Sequence, residues 1–129
     1  LLLGGLAASA APATPPAAGP GARWEEVPIH GGLCVTQIAV ATGEDGALHA
    51  WLGSDVAGVF RWEAGPARWR NVTRHLDARE EGLTHIDQLV LEPALPDHAW
   101  VVAGKSWYAG RGVLRTRDGG ASWKHEALL

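Results

Sequence analysis

The segment Thr116-Arg-Asp-Gly-Gly-Ala-Ser-Trp123 has the most specific spacing of chemically able side chains in this sequence. It fits Ser/Thr-x-Asp-x-Gly-x-Ser/Thr-Trp, the Asp-box pattern, at every fixed position. In such a run Asp118 can accept hydrogen bonds from the N–H groups of a hairpin turn, and Gly119 and Gly120 can take the positive φ that the turn demands. Ser122 can tie back to the backbone while the Trp123 indole packs beneath the turn. That chemistry is structural, so Thr116, Asp118, Gly120, Ser122 and Trp123 are assigned to holding a turn rather than to catalysis.

Other reactive constellations are missing from the sequence. The six His residues show no ligand spacing such as His-x-x-x-His, and neither a metal nor a cofactor is expected. His75 and His85 flank the acidic stretch Asp77–Glu81, which reads as a solvated loop. The single Cys34 excludes an internal disulfide and a multi-cysteine zinc site, and its place beside an apolar run predicts a small buried residue. No Ser-His-Asp order, phosphate loop or nucleotide fingerprint occurs.

The elements that must position the box are short strands. After Arg23, apolar runs alternate with Gly, Pro, Asp and Asn, and predict strands at Val35–Val40, Leu48–Leu52, Gly58–Trp62, Trp69–Val72, Ile86–Leu91, Ala99–Ala103, Gly112–Thr116 and Trp123–Glu126. Arg74–Gly82 is charged on every face and reads as a loop. The chain also repeats itself at an interval of about 50 residues. Gln37-Ile-Ala-Val40 resembles Gln88-Leu-Val-Leu91, Ala50-Trp51 matches Ala99-Trp100, Gly58-Val-Phe-Arg61 matches Gly112-Val-Leu-Arg115, and Trp69 matches Trp123. The first repeat carries a decayed box, with Ala64 and Pro66 where Asp118 and Gly120 would fall. Four strands per repeat of this length is the signature of a propeller blade, so the fold class is all-β with about two four-stranded antiparallel blades over residues 23–129. Two blades alone should leave apolar faces uncovered, and the remaining blades of a larger propeller in the same polypeptide are the expected partner. Trp24, Trp51, Trp62, Trp69, Trp100 and Trp123 are assigned to the core.

Composition agrees with one folded domain. The 129 residues are 47% hydrophobic and 19% charged, which excludes a disordered chain. A net charge of −3 from 11 basic and 14 acidic residues gives no basic surface for nucleic acid or an anionic membrane. Residues 1–22 are uncharged and Pro/Ala-rich. Leu1–Ala8 reads as the tail of a signal-peptide apolar region, Ala8-Ser9-Ala10 as a cleavage site, and Pro12–Pro20 as a linker. Together with the lack of Met, this predicts a fragment of an exported bacterial protein, secreted or periplasmic.

From about Trp24 to Leu129 the chain resembles the Asp-box propellers of glycoside hydrolase family 74, the xyloglucanases and related endo-β-glucanases. The resemblance is carried by Trp24-Glu-Glu-Val27, Gly31-Gly32, Gly53-Ser-Asp-Val-Ala-Gly-Val-Phe-Arg-Trp62, Trp69-Arg-Asn-Val-Thr73, the strand and turn Ile86–Pro96, and the Asp-box, in the family's order. It implies an inverting hydrolysis of β-1,4-glucan or xyloglucan in which Asp55 is the general base. Such a reaction needs two carboxyl groups roughly 6.5–9.5 Å apart, one activating water and one protonating the leaving oxygen. In the family the acid comes from a second propeller far downstream, so the isolated chain is expected to be inactive. Here Gly53, Ser54 and Ala57 replace the family's Arg, Thr and first Gly. The change at position 53 removes a cation near the carboxylate, and Ala57 restricts a turn where glycine is expected. Without the resemblance, Asp55 reads as a turn-capping aspartate. Trp107 and Tyr108, in the Gly-bounded stretch Gly104–Gly110, form a glucan-binding subsite on this reading, since sugar rings stack on indoles; otherwise they plug the space between blades. The alternative function is a non-catalytic Asp-box propeller, of the sortilin or assembly-factor kind, that serves as a binding or interaction module.

Overall fold

Alternating half-buried side chains between tight polar turns produce eight strands in the computed structural model, which describes residues 21, 23, 25–29, 33–76, 84–104 and 112–126. The first antiparallel sheet holds β1 (Val35–Thr42), β2 (Leu48–Ser54), β3 (Val59–Glu63) and β4 (Arg68–Asn71), in that order. The second holds β5 (Ile86–Glu92), β6 (Leu95–Ala103), β7 (Gly112–Thr116) and β8 (Lys124–Glu126), in the same order. Each is a four-stranded meander, the unit of a propeller blade, and the all-β propeller class expected from the repeat is what the chain adopts. The proposed signal segment and linker, Trp24, Trp107, Tyr108 and the whole Asp77–Glu81 loop lie outside the described residues.

The repeat holds at the level of register. Ala39 pairs with Trp51, Trp51 with Arg61 and Arg61 with Arg70 in the first sheet. Val90 pairs with Trp100, Trp100 with Arg115 and Arg115 with Lys124 in the second. Both innermost strands carry an irregularity at their start, between Val35 and Gln37 and between Ile86 and Gln88. A bulge at the same place in both repeats bends each entry strand alike.

The core lies between the sheets. Trp51 and Val59 of the first meet Ile86, Leu89, Ala99, Val101, Ala103 and Leu114 of the second, joined by Val72 beyond β4. Each such side chain stabilises the fold by about 1.5–3 kcal/mol on burial. Gly53 makes the approach possible, because a Cβ there would lie 2.7 Å from Ile86 Cγ2. The volume that the family resemblance assigns to an Arg is filled by Ile86 from the neighbouring blade. The tryptophans divide by face, contrary to their common assignment to the core. Trp51 is buried and Trp123 packs partly against the core. Trp62, Trp69 and Trp100 are half-buried on the sides turned away from it, since Trp62 pairs with Trp69 and Trp100 with Val90 and Arg115.

The Asp-box closes β7 onto β8 and also joins the blades. Asp118 Oδ1 accepts from the Thr116 hydroxyl (2.7 Å) and the Ser122 N–H (2.9 Å), and Oδ2 accepts from the Ser122 hydroxyl (2.5 Å). The Ser122 hydroxyl, then its N–H and the Thr116 hydroxyl, hold the Asp118 carboxyl down at about 2, against an ordinary 3.8. Gly120, at φ +85°, sits where a Cβ would meet Val72 Cβ at 2.5 Å. The Trp123 indole donates across the interface to the Val72 carbonyl at 2.9 Å and packs edge-on against Trp51. The corresponding turn of the first sheet has no such ring of bonds. There Glu63 pairs with Arg68 and Arg70, which hold its carboxyl below the usual range, and Ala67 takes a φ of +50°.

Candidate functional site

Asp55 lies in the turn from β2 to β3, at the opposite end of the strands from the Asp-box turn. The turn is built by its neighbours in sequence. The buried Ser54 hydroxyl accepts from the Ala57 N–H (2.8 Å) and donates to the Gly58 carbonyl (3.1 Å). Asn71 Nδ2 donates to the Ala57 carbonyl at 2.6 Å, and Thr73 Oγ1 accepts from the Val59 N–H at 3.0 Å. Gly58 takes a φ of +80°, and a Cβ at that position would collide with Thr73 Oγ1. Ala57 is absent from the positive-φ residues, so the alanine costs the turn nothing and the expected restriction does not arise. The demand for glycine falls on Gly58 alone.

Asp55 itself is half-buried and held from two sides. Its Oδ1 accepts from the Cys34 N–H at 3.0 Å while its own N–H donates to the Cys34 carbonyl at 3.1 Å. This reciprocal pair clips the turn to the chain entering β1. Cys34 is exposed, contrary to the buried residue expected, because its backbone and not its side chain makes the connection. Oδ2 of Asp55 has no hydrogen-bond partner among the described residues, and a water could occupy that side.

The second blade contributes the other support. His85 Nδ1 lies 2.7 Å from the Asp55 carbonyl, and its Nε2 lies 2.9 Å from Asp87 Oδ1. A carbonyl only accepts, so Nδ1 carries a proton; the Nε2 contact is a donor contact too when the ring is doubly protonated. Gly58 N–H donates to the Thr84 carbonyl at 2.7 Å and Gly104 N–H to the His85 carbonyl at 2.9 Å. The Thr36 hydroxyl adds a bond to the Ile86 carbonyl at 2.7 Å. Three residues of the first blade, Thr36, Asp55 and Gly58, are thereby stitched to Thr84–Ile86. His85 meets Asp55 and Asp87, and sequence spacing held no sign of it, because the contact with Asp55 joins two separate turns. The one available signal was the bulge position shared by Thr36 and Asp87.

The stretch that contains Trp107 and Tyr108 leaves from Gly104, which is bonded to His85, and returns at Gly112. The two aromatics themselves are outside the described residues. Asp87 is committed to His85 and is no free second carboxyl group. Among the described residues, no group of three or more His, Cys, Asp or Glu side chains is placed to hold a metal ion. An open groove of about 560 Å³ runs between β1 and β5, lined by Ala39–Thr42 and Leu89–Leu91 with Pro93. It opens at the far ends of those strands from Asp55, so it is no part of the same site.

No protein-family model matches the chain, and no curated protein does. Among solved structures, a GH74 enzyme from Niastella koreensis is similar with a TM-score of 0.66 and 22% identity, over 77% of this chain and 14% of that one. The likeness shows the fold, two blades of a β-propeller, and the chain spans 14% of the length of the enzyme it resembles.

Proposed function

We propose that this chain is part of a secreted glycoside hydrolase of the GH74 kind that cleaves β-1,4-glucan or xyloglucan with inversion, and that Asp55 is its general base. The observation that carries the reading is Asp55 itself. It is a half-buried carboxylate with one oxygen fixed by a main-chain N–H and the other without a hydrogen bond from the described residues, on a turn braced from two blades. That is the state a base needs in order to position a water and draw its proton. The propeller likeness to a GH74 enzyme supports the polysaccharide class. Trp107 and Tyr108 are placed in the same proposal as stacking residues, because their stretch begins and ends at the edge that holds Asp55. The acid partner belongs to another part of the enzyme, and the 129-residue chain alone hydrolyses nothing.

Titration of the isotope-labelled chain with xyloglucan oligosaccharides tests the placement. Shifts confined to residues 33–36, 53–58, 84–87 and 103–104 support it. Shifts at the Asp-box edge instead, or none anywhere, favour the second reading, an interaction propeller. The specific observation behind that rival is that no second free carboxyl group accompanies Asp55 among the described residues.

A further inference from the structure

His85 carries a titratable ring across the seam between the blades. From the entry to β5, its Nδ1 reaches the Asp55 carbonyl of the other blade at 2.7 Å, and its Nε2 reaches Asp87 Oδ1 at 2.9 Å. Both partners are acceptors, since neither a carbonyl nor an ionised carboxylate holds a proton to give. A neutral imidazole has one N–H and cannot satisfy two acceptors at once. Both contacts are at hydrogen-bond length, so the arrangement is that of a doubly protonated ring with its charge set against Asp87.

The two contacts differ in what holds them. The ring is 22% exposed, and its Nδ1 bond joins residues 30 positions apart, at a seam where the Gly58 N–H also bonds to Thr84. Asp87 is 46% exposed and two residues from the ring, so water can take its place. When the ring gives up a proton, the Nε2 proton therefore goes. Nδ1–H stays on the carbonyl, which would otherwise lose its donor in a half-buried place. The remaining bond still weakens, because a charged donor makes a hydrogen bond roughly twice as strong as a neutral one. Among the described residues, few titratable groups stand on the elements around the ring. Asp87 is on β5 itself, Asp55 is on the facing turn with Oδ1 on the Cys34 N–H, and the exposed Cys34 is on the chain entering β1. The end of β6 at Ala103 and Gly104 brings none.

We propose that His85 is a proton-operated brace on the turn that carries Asp55. Doubly protonated, it locks the turn to the second blade; neutral, it releases Asp87 and holds the turn less tightly. Imidazoles change charge between about pH 5 and 8, so the turn stiffens toward the acid end of that interval and loosens toward the alkaline end. The device governs the turn and not a reaction, so it stands or falls separately from the assignment of Asp55 as a base.

NMR of the isotope-labelled 129-residue chain between about pH 5 and 8.5 tests it. Imidazole nitrogen shifts of His85 read the proton count and the tautomer. Protection factors, which remove the intrinsic pH dependence of exchange, read the brace at the Gly58 and Gly104 amides. As the ring loses its charge, Nδ1 keeps its proton and protection at both amides falls about threefold, while amides of β6 and β7 hold theirs. His85→Asn places an amide N–H where Nδ1 stood, without a titrating proton, and its protection is the same at every pH. His85→Leu fills the space without a donor and is about tenfold less protected throughout. Circular dichroism checks that both variants are folded, and the wild-type titration needs neither. Protection that ignores the charge of the ring overturns the proposal. So does a neutral ring with its proton on Nε2, or a pH-dependent loss that persists in His85→Asn.

Discussion

His85 of the second blade donates from Nδ1 to the main-chain carbonyl of Asp55 in the first, across 2.7 Å. The turn that carries the candidate base is therefore held by a residue 30 positions away, in a different sheet. Removing the ring should loosen that turn without unfolding either blade. In His85→Ala the Gly58 and Gly104 amides, which bond to Thr84 and His85, are expected to exchange with solvent about tenfold faster, while amides of β6 and β7 are unchanged. Hydrogen exchange followed by NMR checks this.

Gly53 and Ile86 should behave as a coupled pair. Gly53→Ala forces a methyl group against Ile86 Cγ2 and is expected to cost about 1–3 kcal/mol in urea denaturation. Ile86→Val alone is expected to cost about 0.5–1.5 kcal/mol. In the double variant the smaller neighbour yields part of the space, so the combined loss falls short of the sum of the two.

The Asp-box is expected to make stability pH-dependent in a defined window. Asp118 titrates at about 2 in the folded protein against an ordinary 3.8. A depressed carboxyl stabilises the fold above its unfolded value, and the contribution disappears as pH falls through the interval from about 4 to about 2. Wild type should thus lose stability across that interval, and Asp118→Asn should show a shallower slope there from a lower starting point. Urea midpoints measured at several pH values provide the comparison.

Gly120→Ala should be among the most damaging small substitutions. It combines a φ of +85° with a methyl group driven onto Val72. The expected loss is about 2 kcal/mol or more. Gly46→Ala, at φ +77° but with open space around it, should cost less. The difference between the two isolates the packing of the box against the neighbouring blade.

Strands and repeat were legible in the sequence because alternation and turn residues act locally, and the matched motifs fall at matched register positions. What stayed hidden depended on contacts between blades. The six-residue turn at Ser54–Val59 gave no hint that Cys34 and His85 would brace Asp55, since neither is near it in sequence. Ala57 looked like a defect against the glycine of the resembled family, yet the positive φ belongs to Gly58. Tryptophans that share a hydrophobic character divide between an inner and an outer face by a single residue of register, Trp51 against Trp62.

The central claim is that Asp55 is a general base. Hydrolysis of xyloglucan by the complete polypeptide, wild type against Asp55→Asn, tests it most directly. The amide oxygen of asparagine can still accept the Cys34 N–H, so the turn survives while the base is lost. A fall in kcat of about 100-fold or more, with substrate binding and thermal stability unchanged, is the predicted result. Full activity in the variant contradicts the assignment of Asp55, and no hydrolysis by a well-folded wild type contradicts the hydrolase reading as a whole.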